Sequence, residues 1–277
     1  MRIAQVAPLA ESVPPKLYGG TERVVAYLCD ELVRQGHAVS LFAAGDSQTR
    51  ARLWPSCAEG LRLGGEGRDS LALHLLMIEQ IARRAREFDV IHFHVAPLHF
   101  PVVRRLGVPH VTTLHGRLDL PDLVALYREF GDIPVASISD AQRMPVPDTN
   151  WIGTVYHGLP AHELRFSAQD AGYLAFLGRI SPEKRVDRAI AVAKGCGYPL
   201  RIAAKVDPAD ADYFATKIEP LLDDPLVTFV GEISHAEKSD FLGGAKALLF
   251  PIDWPEPFGL VMIEALACGT PVVAFRG

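Results

Sequence analysis

The sequence predicts two successive α/β domains, each a Rossmann-like, doubly wound parallel sheet. The chain has 277 residues, of which 49% are hydrophobic, and this is enough to form two cores. Short apolar strands alternate with amphipathic helices along the whole chain. The order strand, loop, helix, strand at the amino terminus occurs again from residue 173. Residues 158–172 are largely polar and unpatterned, so we predict domains at 1–160 and 161–277.

The first domain opens with a strand at 2–7, the loop "YGG" and a helix at 21–34. Thr21 is the predicted N-cap of this helix, and Gly36 ends it. A strand follows at 37–44. The remaining predicted elements are helix 70–88, strand 89–94, helix 97–107, strand 109–116, helix 121–131, strand 134–139 and a short strand within 151–160.

The second domain repeats this pattern and ends in a helix that is apolar apart from one carboxylate. Its predicted elements are strand 173–180, helix 185–197, strand 199–205, helix 211–222, strand 227–233, helix 235–245, strand 246–252, a helix opened by Pro257 and Gly259 and ended by Gly269, and strand 270–275. Ligands of such sheets bind outside the carboxyl ends of the strands. Two sheets that face one another would share one cleft.

Composition excludes several classes of partner. A net charge of −5, from 28 basic and 33 acidic residues without a basic block, argues against nucleic acid as a partner. No apolar run is long enough for an integral membrane segment. The four cysteines, Cys29, Cys57, Cys196 and Cys268, show no C-x-x-C spacing, which fits a reducing cytoplasm. We therefore expect a cytoplasmic protein.

Two basic side chains flank the first strand-to-helix loop of the second domain. Arg179 and Lys184 in "LGRISPEKR" would converge with the amides of the next helix on an anion such as phosphate. The alternative, that both are ordinary surface charges, stays open. The later helix mouth at Phe258, Gly259 and Leu260 offers a second set of backbone donors with no side chain at Gly259.

Two glutamates accompany that helix mouth. Glu256 lies in the loop before the helix and Glu264 inside it, so they are not expected to act as one pair. Carboxylates accept hydrogen bonds from hydroxyls, which sugars and riboses offer. The alternatives are a helix-dipole partner for Glu256 and a solvated helix residue for Glu264. The apolar neighbours of Glu264 favour a functional role.

These stretches carry a resemblance. "GRISPEK" and "EPFGLVMIEALACGTPVVAF" resemble the carbohydrate-handling half of the retaining family 4 glycosyltransferases (glycosyl transferases group 1), with the spacing glutamate, seven residues, glutamate intact. "YGGTERVVAYLCDELVRQGHAVSLFA" is similar to the acceptor domain of the same family, so the resemblance covers nearly the whole chain. It implies a GT-B fold, carbohydrate biosynthesis, a nucleotide-diphosphate sugar as substrate and a glycan, lipid or small-molecule acceptor. No cofactor and no metal are implied.

The resemblance also implies a role for each site residue. Arg179 and Lys184 would neutralise the diphosphate, Glu264 would accept from the ribose hydroxyls, and Glu256 would bind the transferred sugar. Further contacts are assigned to Gly19 and Gly20 at the distal phosphate, to His115 beside the sugar, and to the amides of Phe258, Gly259 and Leu260. The predicted reaction is front-face transfer with retention, in which the leaving diphosphate is stabilised electrostatically.

The chain departs from the family in two places. His157 stands where many relatives have asparagine. The sequence ends at "VVAFRG", where relatives continue, so the resemblance predicts a second domain that is incomplete at its carboxyl end. The residues Asp253 and Trp254 receive no role.

Several weaker patterns leave alternatives open. His92 and His94 lie on one side of a strand and could suggest a metal, but no third ligand has metal spacing, so packing or lining of the cleft is favoured. Asp210 and Asp212 form a D-x-D pattern, for which N-capping is the favoured interpretation. The rival functions are a nucleotide-sugar epimerase or phosphorylase on the same fold, and a nucleotide-binding module without turnover.

Overall fold

The computed structural model describes residues 1–65, 67–95 and 97–276 and divides into two compact units, Met1–His157 and Gly158–Gly277. Gly277, the last residue of the predicted second domain, lies outside the described residues. Each unit holds one parallel sheet covered by helices, which confirms the predicted fold class of two doubly wound α/β domains.

The sheet of the first unit is parallel throughout, with strand order β3-β2-β1-β4-β5-β6-β7. Its strands are β1 (Arg2–Val6), β2 (Ala38–Ala44), β3 (Arg52–Cys57), β4 (Val90–Phe93), β5 (His110–Thr113), β6 (Val135–Ser137) and β7 (Trp151–Thr154). Its helices are α1 (Gly20–Arg34), α2 (Ser70–Arg84), α3 (Phe100–Leu106), α4 (Pro121–Glu129) and α5 (Asp140–Arg143). The order of strands reverses between β1 and β4, and crevices form at such a reversal.

The second unit has the parallel strand order β10-β9-β8-β11-β12. Its strands are β8 (Tyr173–Ile180), β9 (Leu200–Val206), β10 (Val227–Gly231), β11 (Ala245–Phe250) and β12 (Val272–Ala274). Its helices are α6 (Val186–Cys196), α7 (Ala211–Tyr213), α8 (His235–Gly243) and α9 (Leu260–Ala267). Here the order reverses between β8 and β11.

Alternation of side chains along the strands separates two cores in each unit. In β2, Phe42 joins the larger core of the first unit, while its neighbours Leu41 and Ala43 join the smaller core on the opposite face. In β8, Phe176 and Ala175 divide in the same way between the two cores of the second unit. Both faces of each sheet are therefore buried, as parallel sheets require.

Three local expectations were wrong. The N-cap of α1 is Gly19, and Thr21 lies inside the helix. The strand β3 and the short helix α5 were not predicted. The predicted helix 211–222 is broken into α7, a π-helical turn at Phe214–Ile218 and a 3-10 turn at Glu219–Leu221.

The four cysteines are free thiols, and Cys29 and Cys268 are buried. Within residues 1–65, 67–95 and 97–276, no helix combines the length and the apolar character needed to cross a bilayer.

Candidate functional site

The loops after β8 and β11 meet where the strand order of the second sheet reverses. Because β8 and β11 are parallel neighbours, their carboxyl ends lie at the same edge of the sheet. The loop after β8 carries Lys184, and the loop after β11 carries Glu256. The topology therefore brings together two stretches that are about 70 residues apart in sequence.

Lys184 and Glu256 form an ion pair between these loops. Their side chains are only 14% and 16% exposed, so the pair is mostly removed from water. The Lys184 ammonium also lies 5.1 Å from the centroid of the Trp254 ring, within the range of a cation–π contact. Trp254, for which the sequence predicts no role, thus lies against the Lys184 ammonium.

Arg179, at the end of β8, is surrounded by carboxylates. It pairs with Glu183, and its Nη1 lies 3.7 Å from a carboxylate oxygen of both Asp207 and Asp210. Lys205 forms an ion pair with Asp207, with 2.8 Å between Nζ and Oδ1. The guanidinium is one-third exposed and remains accessible from solvent.

The N-capping role expected for Asp210 is wrong. Asp210 stands at the N-cap position of α7, but among the described residues its side chain accepts no capping hydrogen bond. The carboxylate is directed toward Arg179 instead. Burial raises the pKa of Asp210 above its usual value, because desolvation outweighs the opposing effect of Arg179. Asp212 lies in the first turn of α7, and its carbonyl accepts a hydrogen bond from Thr216.

Asp253 fixes the two loops to one another. Its backbone amide donates to the carbonyl of Glu183 at 2.8 Å, and its carboxylate pairs with Arg185 and Arg188 at 2.8 and 2.9 Å. Arg185 has a φ of +53°, a left-handed conformation that costs about 1–2 kcal/mol for a residue with a Cβ. Its ion pairs with Asp253 and Asp187 help to hold this turn. The turn directs the chain from Lys184 into α6.

The mouth of α9 is formed by Gly259, in a left-handed conformation at φ +78°. A Cβ at this position would lie 2.8 Å from the methyl carbon of Met262 and 3.1 Å from the ring of Phe250. In the described part of the chain, no side chain caps this helix. The predicted backbone donors at Phe258, Gly259 and Leu260 therefore stand at a helix amino terminus, whose dipole favours an anion.

Glu264 is buried inside α9, with 3% of its surface exposed. It pairs with Lys238 of α8, at 2.6 Å between Oε1 and Nζ. The interpretation of Glu264 as a solvated helix residue is therefore wrong. Glu256 and Glu264 pair with different lysines, so they do not act as one pair, as expected.

In the first unit, Gly19 and Gly20 connect the loop after β1 to α1. A Cβ on Gly19 would lie 2.6 Å from Cβ of Pro15, so this close approach requires glycine. His115 follows β5, and the ends of β1, β4 and β5 lie at the same edge of the first sheet. The first-unit residues assigned by the resemblance thus share one sheet edge.

A histidine cluster occupies this edge and consists of His92, His94, His115 and His157. His94 Nδ1 lies 2.9 Å from His115 Nε2, and the rings of His92 and His94 are 4.1 Å apart. The ring of His157 stacks on that of His115, with centroids 5.2 Å apart and planes inclined by 17°. Two neutral side chains complete the cluster: Gln5 Oε1 faces His94 Nε2 at 2.9 Å, and Thr113 Oγ1 faces His92 Nε2 at 2.7 Å.

The cluster is uncharged at neutral pH. Burial lowers the pKa of both His92 and His157 to about 4. Burial, aided by the neighbouring imidazoles of His157 and His92, lowers the pKa of His115 to about 3. Burial and three neighbouring imidazoles place the pKa of His94 well below its usual value. Protonation would place a positive charge among largely buried side chains, which desolvation opposes.

His92 and His94 pack against neighbouring polar groups, the interpretation favoured for them from the sequence. Within the described residues, no group of three or more His, Cys, Asp or Glu side chains has an arrangement that could hold a metal ion. The sequence interpretation missed Lys238 and the link between Gln5 and His94. Period-2 spacing, with Gln5 alone among apolar neighbours in a strand, was the available signal for the latter.

Two family models match this chain. Residues 18–144 match the family model "Glycosyltransferase Family 4", and residues 163–277 match "Glycosyl transferases group 1". A glycogen synthase of Mycobacterium tuberculosis is 28% identical over 313 aligned residues, which cover 94% of this chain and 75% of that protein.

Solved structures share the fold. A glycosyltransferase of avilamycin A biosynthesis superposes with a TM-score of 0.68 at 25% identity, covering 99% of this chain and 78% of the other. An Anabaena protein in complex with UDP and glucose superposes with a TM-score of 0.73 at 19% identity, covering 99% and 80%.

Proposed function

We propose that this chain, which belongs to the family 4 glycosyltransferases of GT-B fold, transfers a hexosyl group from a nucleotide-diphosphate sugar to an acceptor hydroxyl with retention of anomeric configuration. The observation that carries the proposal is the convergence of Lys184, Glu256 and the mouth of α9 at the strand reversal of the second sheet. Ligands of open α/β sheets bind at this position.

The diphosphate would be held by positive charge from two sources. Arg179 and Lys184 supply side-chain cations, and the amino terminus of α9 supplies a helix dipole. Negative charge grows on the leaving diphosphate as its bond to the sugar breaks. Groups that are already oriented toward this charge stabilise the transition state more than the ground state.

The two glutamates take separate parts. Glu264 is buried and acceptor-only when ionised, so it suits a pair of ribose hydroxyls near the side of α9 that faces α8. Glu256 precedes the helix mouth and suits hydroxyls of the transferred sugar. Each glutamate would keep or share its lysine while it accepts from the substrate.

The retaining step needs no protein nucleophile in this proposal. The acceptor hydroxyl attacks the anomeric carbon from the face that the diphosphate leaves, and a phosphate oxygen takes the proton of the hydroxyl. The bond from sugar to diphosphate breaks and the bond from sugar to acceptor forms. Charge neutralisation is assigned to Arg179 and Lys184, so we expect transfer to continue after treatment with a metal chelator.

The first experiment is a thermal-shift panel of UDP, GDP, ADP and their sugar conjugates. A ligand that binds only the folded state raises the unfolding midpoint, and the shift grows with the logarithm of the ratio of ligand concentration to Kd. We expect one base to give a clear shift. UDP belongs in the panel because the Anabaena structure contains it.

Three variants test the position of the site. Lys184→Ala and Glu264→Gln are each expected to weaken binding of the selected nucleotide at least tenfold, because each removes a charged partner of the ligand. Lys194→Ala is the matched control, since Lys194 is also ion-paired, with Asp224 at 2.8 Å, but lies near the far end of α6. Unchanged affinity in both site variants would overturn the proposed site.

Retention is tested on the product. With an acceptor identified by screening with the selected nucleotide-sugar, proton NMR of the new linkage gives its anomeric configuration. Retention supports the front-face step, and inversion refutes it. Formation of an epimer without an acceptor would instead support the epimerase alternative.

A further inference from the structure

A chain of three side chains runs through the first unit from β1 to the end of β5. Gln5 Oε1 lies 2.9 Å from His94 Nε2, and His94 Nδ1 lies 2.9 Å from His115 Nε2. Gln5 and His94 are buried, with 1% and 4% of their surfaces exposed. Each of these contacts needs one donor and one acceptor, so each proton position determines the next.

The amide oxygen of Gln5 sets the direction of this chain. An amide oxygen only accepts, so His94 must carry its proton on Nε2. In a neutral imidazole the other nitrogen is then an acceptor, and His94 Nδ1 must receive a hydrogen bond from His115 Nε2. This places the proton of His115 on Nε2.

We propose that Gln5 and His94 are positioning residues that hold His115 in its Nε2–H tautomer, so that His115 Nδ1 accepts a hydrogen bond from a hydroxyl of the substrate sugar. Among the described residues, Nδ1 of His115 has no hydrogen-bond partner, and it is not sealed from solvent. It follows β5 at the sheet edge where the loops after β1 and β4 also end. The tautomer part of this inference stands on geometry alone, while its ligand rests on the proposed function.

The surroundings keep the imidazoles of His94 and His115 neutral. The titratable groups that face His115 are the imidazoles of His92, His94 and His157, and each has a lowered pKa because of burial. Within the described residues, the hydrogen bond of His92 is to Thr113, so His92 does not compete for the acceptor nitrogen of His94. His157 contributes ring stacking on His115.

The first test is long-range proton–nitrogen NMR of the whole chain labelled with nitrogen-15 in histidine. This measurement distinguishes protonation at Nδ1 from protonation at Nε2 in each neutral ring. We expect Nε2–H for both His94 and His115 at neutral pH. The reversed pattern, Nδ1–H in both rings, overturns the proposal, and so does a charged ring in either position.

The second test removes the acceptor at the start of the chain. Gln5→Met keeps a similar shape but cannot fix the His94 proton, so His115 should no longer show a single tautomer. The kcat/KM of the Gln5→Met variant should fall by about tenfold, the equivalent of one hydrogen bond. Thr112→Val is the matched control, because it removes another buried contact to a histidine, from Oγ1 to His99 Nε2 at 2.8 Å, outside the chain.

A pair of variants at His94 tests the same chain of hydrogen bonds in case Gln5→Met does not fold. His94→Asn can present an amide oxygen toward His115 Nε2, whereas His94→Leu cannot. We expect the asparagine variant to retain the Nε2–H signature of His115 and the leucine variant to lose it. Equal spectra for the two variants refute the positioning role of His94.

Substrate analogues test the direction of the hydrogen bond at His115. Donors in which one sugar hydroxyl at a time is replaced by hydrogen or by fluorine are compared, since fluorine cannot donate. If His115 accepts, the deoxy and fluoro analogues at the contacted position lose kcat/KM equally. A fluoro analogue that retains activity would show that His115 donates. The NMR result does not depend on turnover, so failure of the tautomer assignment and failure of the proposed function can be told apart.

Discussion

Acid should destabilise the first unit through its histidine cluster, well above the pH at which surface carboxylates titrate. The folded state holds His92, His115 and His157 at pKa values of about 4, 3 and 4, while the ordinary value is 6.5. As pH falls below 6.5, these histidines bind protons in the unfolded chain but stay neutral in the folded chain. The contribution of these histidines to the free energy of unfolding is therefore fully present above this pH and is lost as pH falls toward 4.

The size of the effect follows from these values. For one histidine with a folded pKa of about 4, linkage gives a loss of about 2 kcal/mol in the free energy of unfolding between about pH 7.5 and pH 5. The three histidines together give about 6 kcal/mol. A typical domain is stable by about 5–15 kcal/mol, so this loss would remove a large part of the stability of the first unit by about pH 5.

The assay is urea unfolding at a series of pH values, followed by tryptophan fluorescence. Trp54 and Trp151 belong to the first unit and Trp254 to the second, so the background variant Trp254→Phe makes the signal report the first unit. His157→Asn removes one of the titrating rings and should reduce the loss at about pH 5 by about 2 kcal/mol. A free energy of unfolding that stays constant between about pH 7.5 and pH 5 would refute the burial argument for the whole cluster.

Three further predictions concern single positions. Gly259→Ala should destabilise the second unit by about 1–2 kcal/mol and weaken nucleotide binding, because its φ of +78° is left-handed; urea unfolding and nucleotide titration test this, and unchanged affinity would contradict it. Lys238→Met should cost up to about 3–5 kcal/mol in urea unfolding, because it leaves the buried Glu264 without its cation; the double variant with Glu264→Leu should recover most of the loss, and no recovery would refute the pairing argument. Iodoacetamide at mildly alkaline pH should label the exposed Cys196 well before Cys29, because burial raises the pKa of Cys29 to about 12; mass spectrometry shows the order, and faster labelling of Cys29 would contradict it.

Most of the fold could be predicted because strands and helices of a doubly wound sheet carry regular apolar periods. β8 was predicted with its observed bounds, since a continuous apolar run there is followed by a proline and charged residues. β3 was missed because "RLWPSC" contains Pro55 and little alternation. It is an edge strand, and edge strands tolerate proline because one side of the strand has no ladder to complete.

The broken segment at 211–222 shows a second limit of periodicity. Its apolar residues have helical spacing, and Tyr213, Phe214 and Leu221 do pack against the core of the second unit. Pro220, however, cannot donate to a regular helix, and the chain changes from α to π to 3-10 geometry before it. The apolar pattern indicated correctly which residues pack against the core, but it could not indicate the hydrogen-bond geometry.

The candidate site was predictable where it depends on loops after strands, and unpredictable where it depends on helix packing. Lys184 and Glu256 meet because β8 and β11 are parallel neighbours, a relation that the strand order of this fold class supplies. Lys238 meets Glu264 only because α8 packs on α9. The spacing of 26 residues between them carries no periodic signal.

The carboxylates around the basic residues have a consequence for how a diphosphate would bind. Lys184 is already paired with Glu256, and Arg179 with Glu183, before any ligand arrives. A diphosphate must therefore replace or share these partners, and its binding energy is the difference between two sets of charged hydrogen bonds. These pairs keep both cations oriented, which reduces the entropy lost on binding. A ligand must compete with Glu183 and Glu256 for the two cations, so a weakly charged ligand binds poorly. The ion pairs therefore lower the affinity for every anion but favour the anion with the highest charge density.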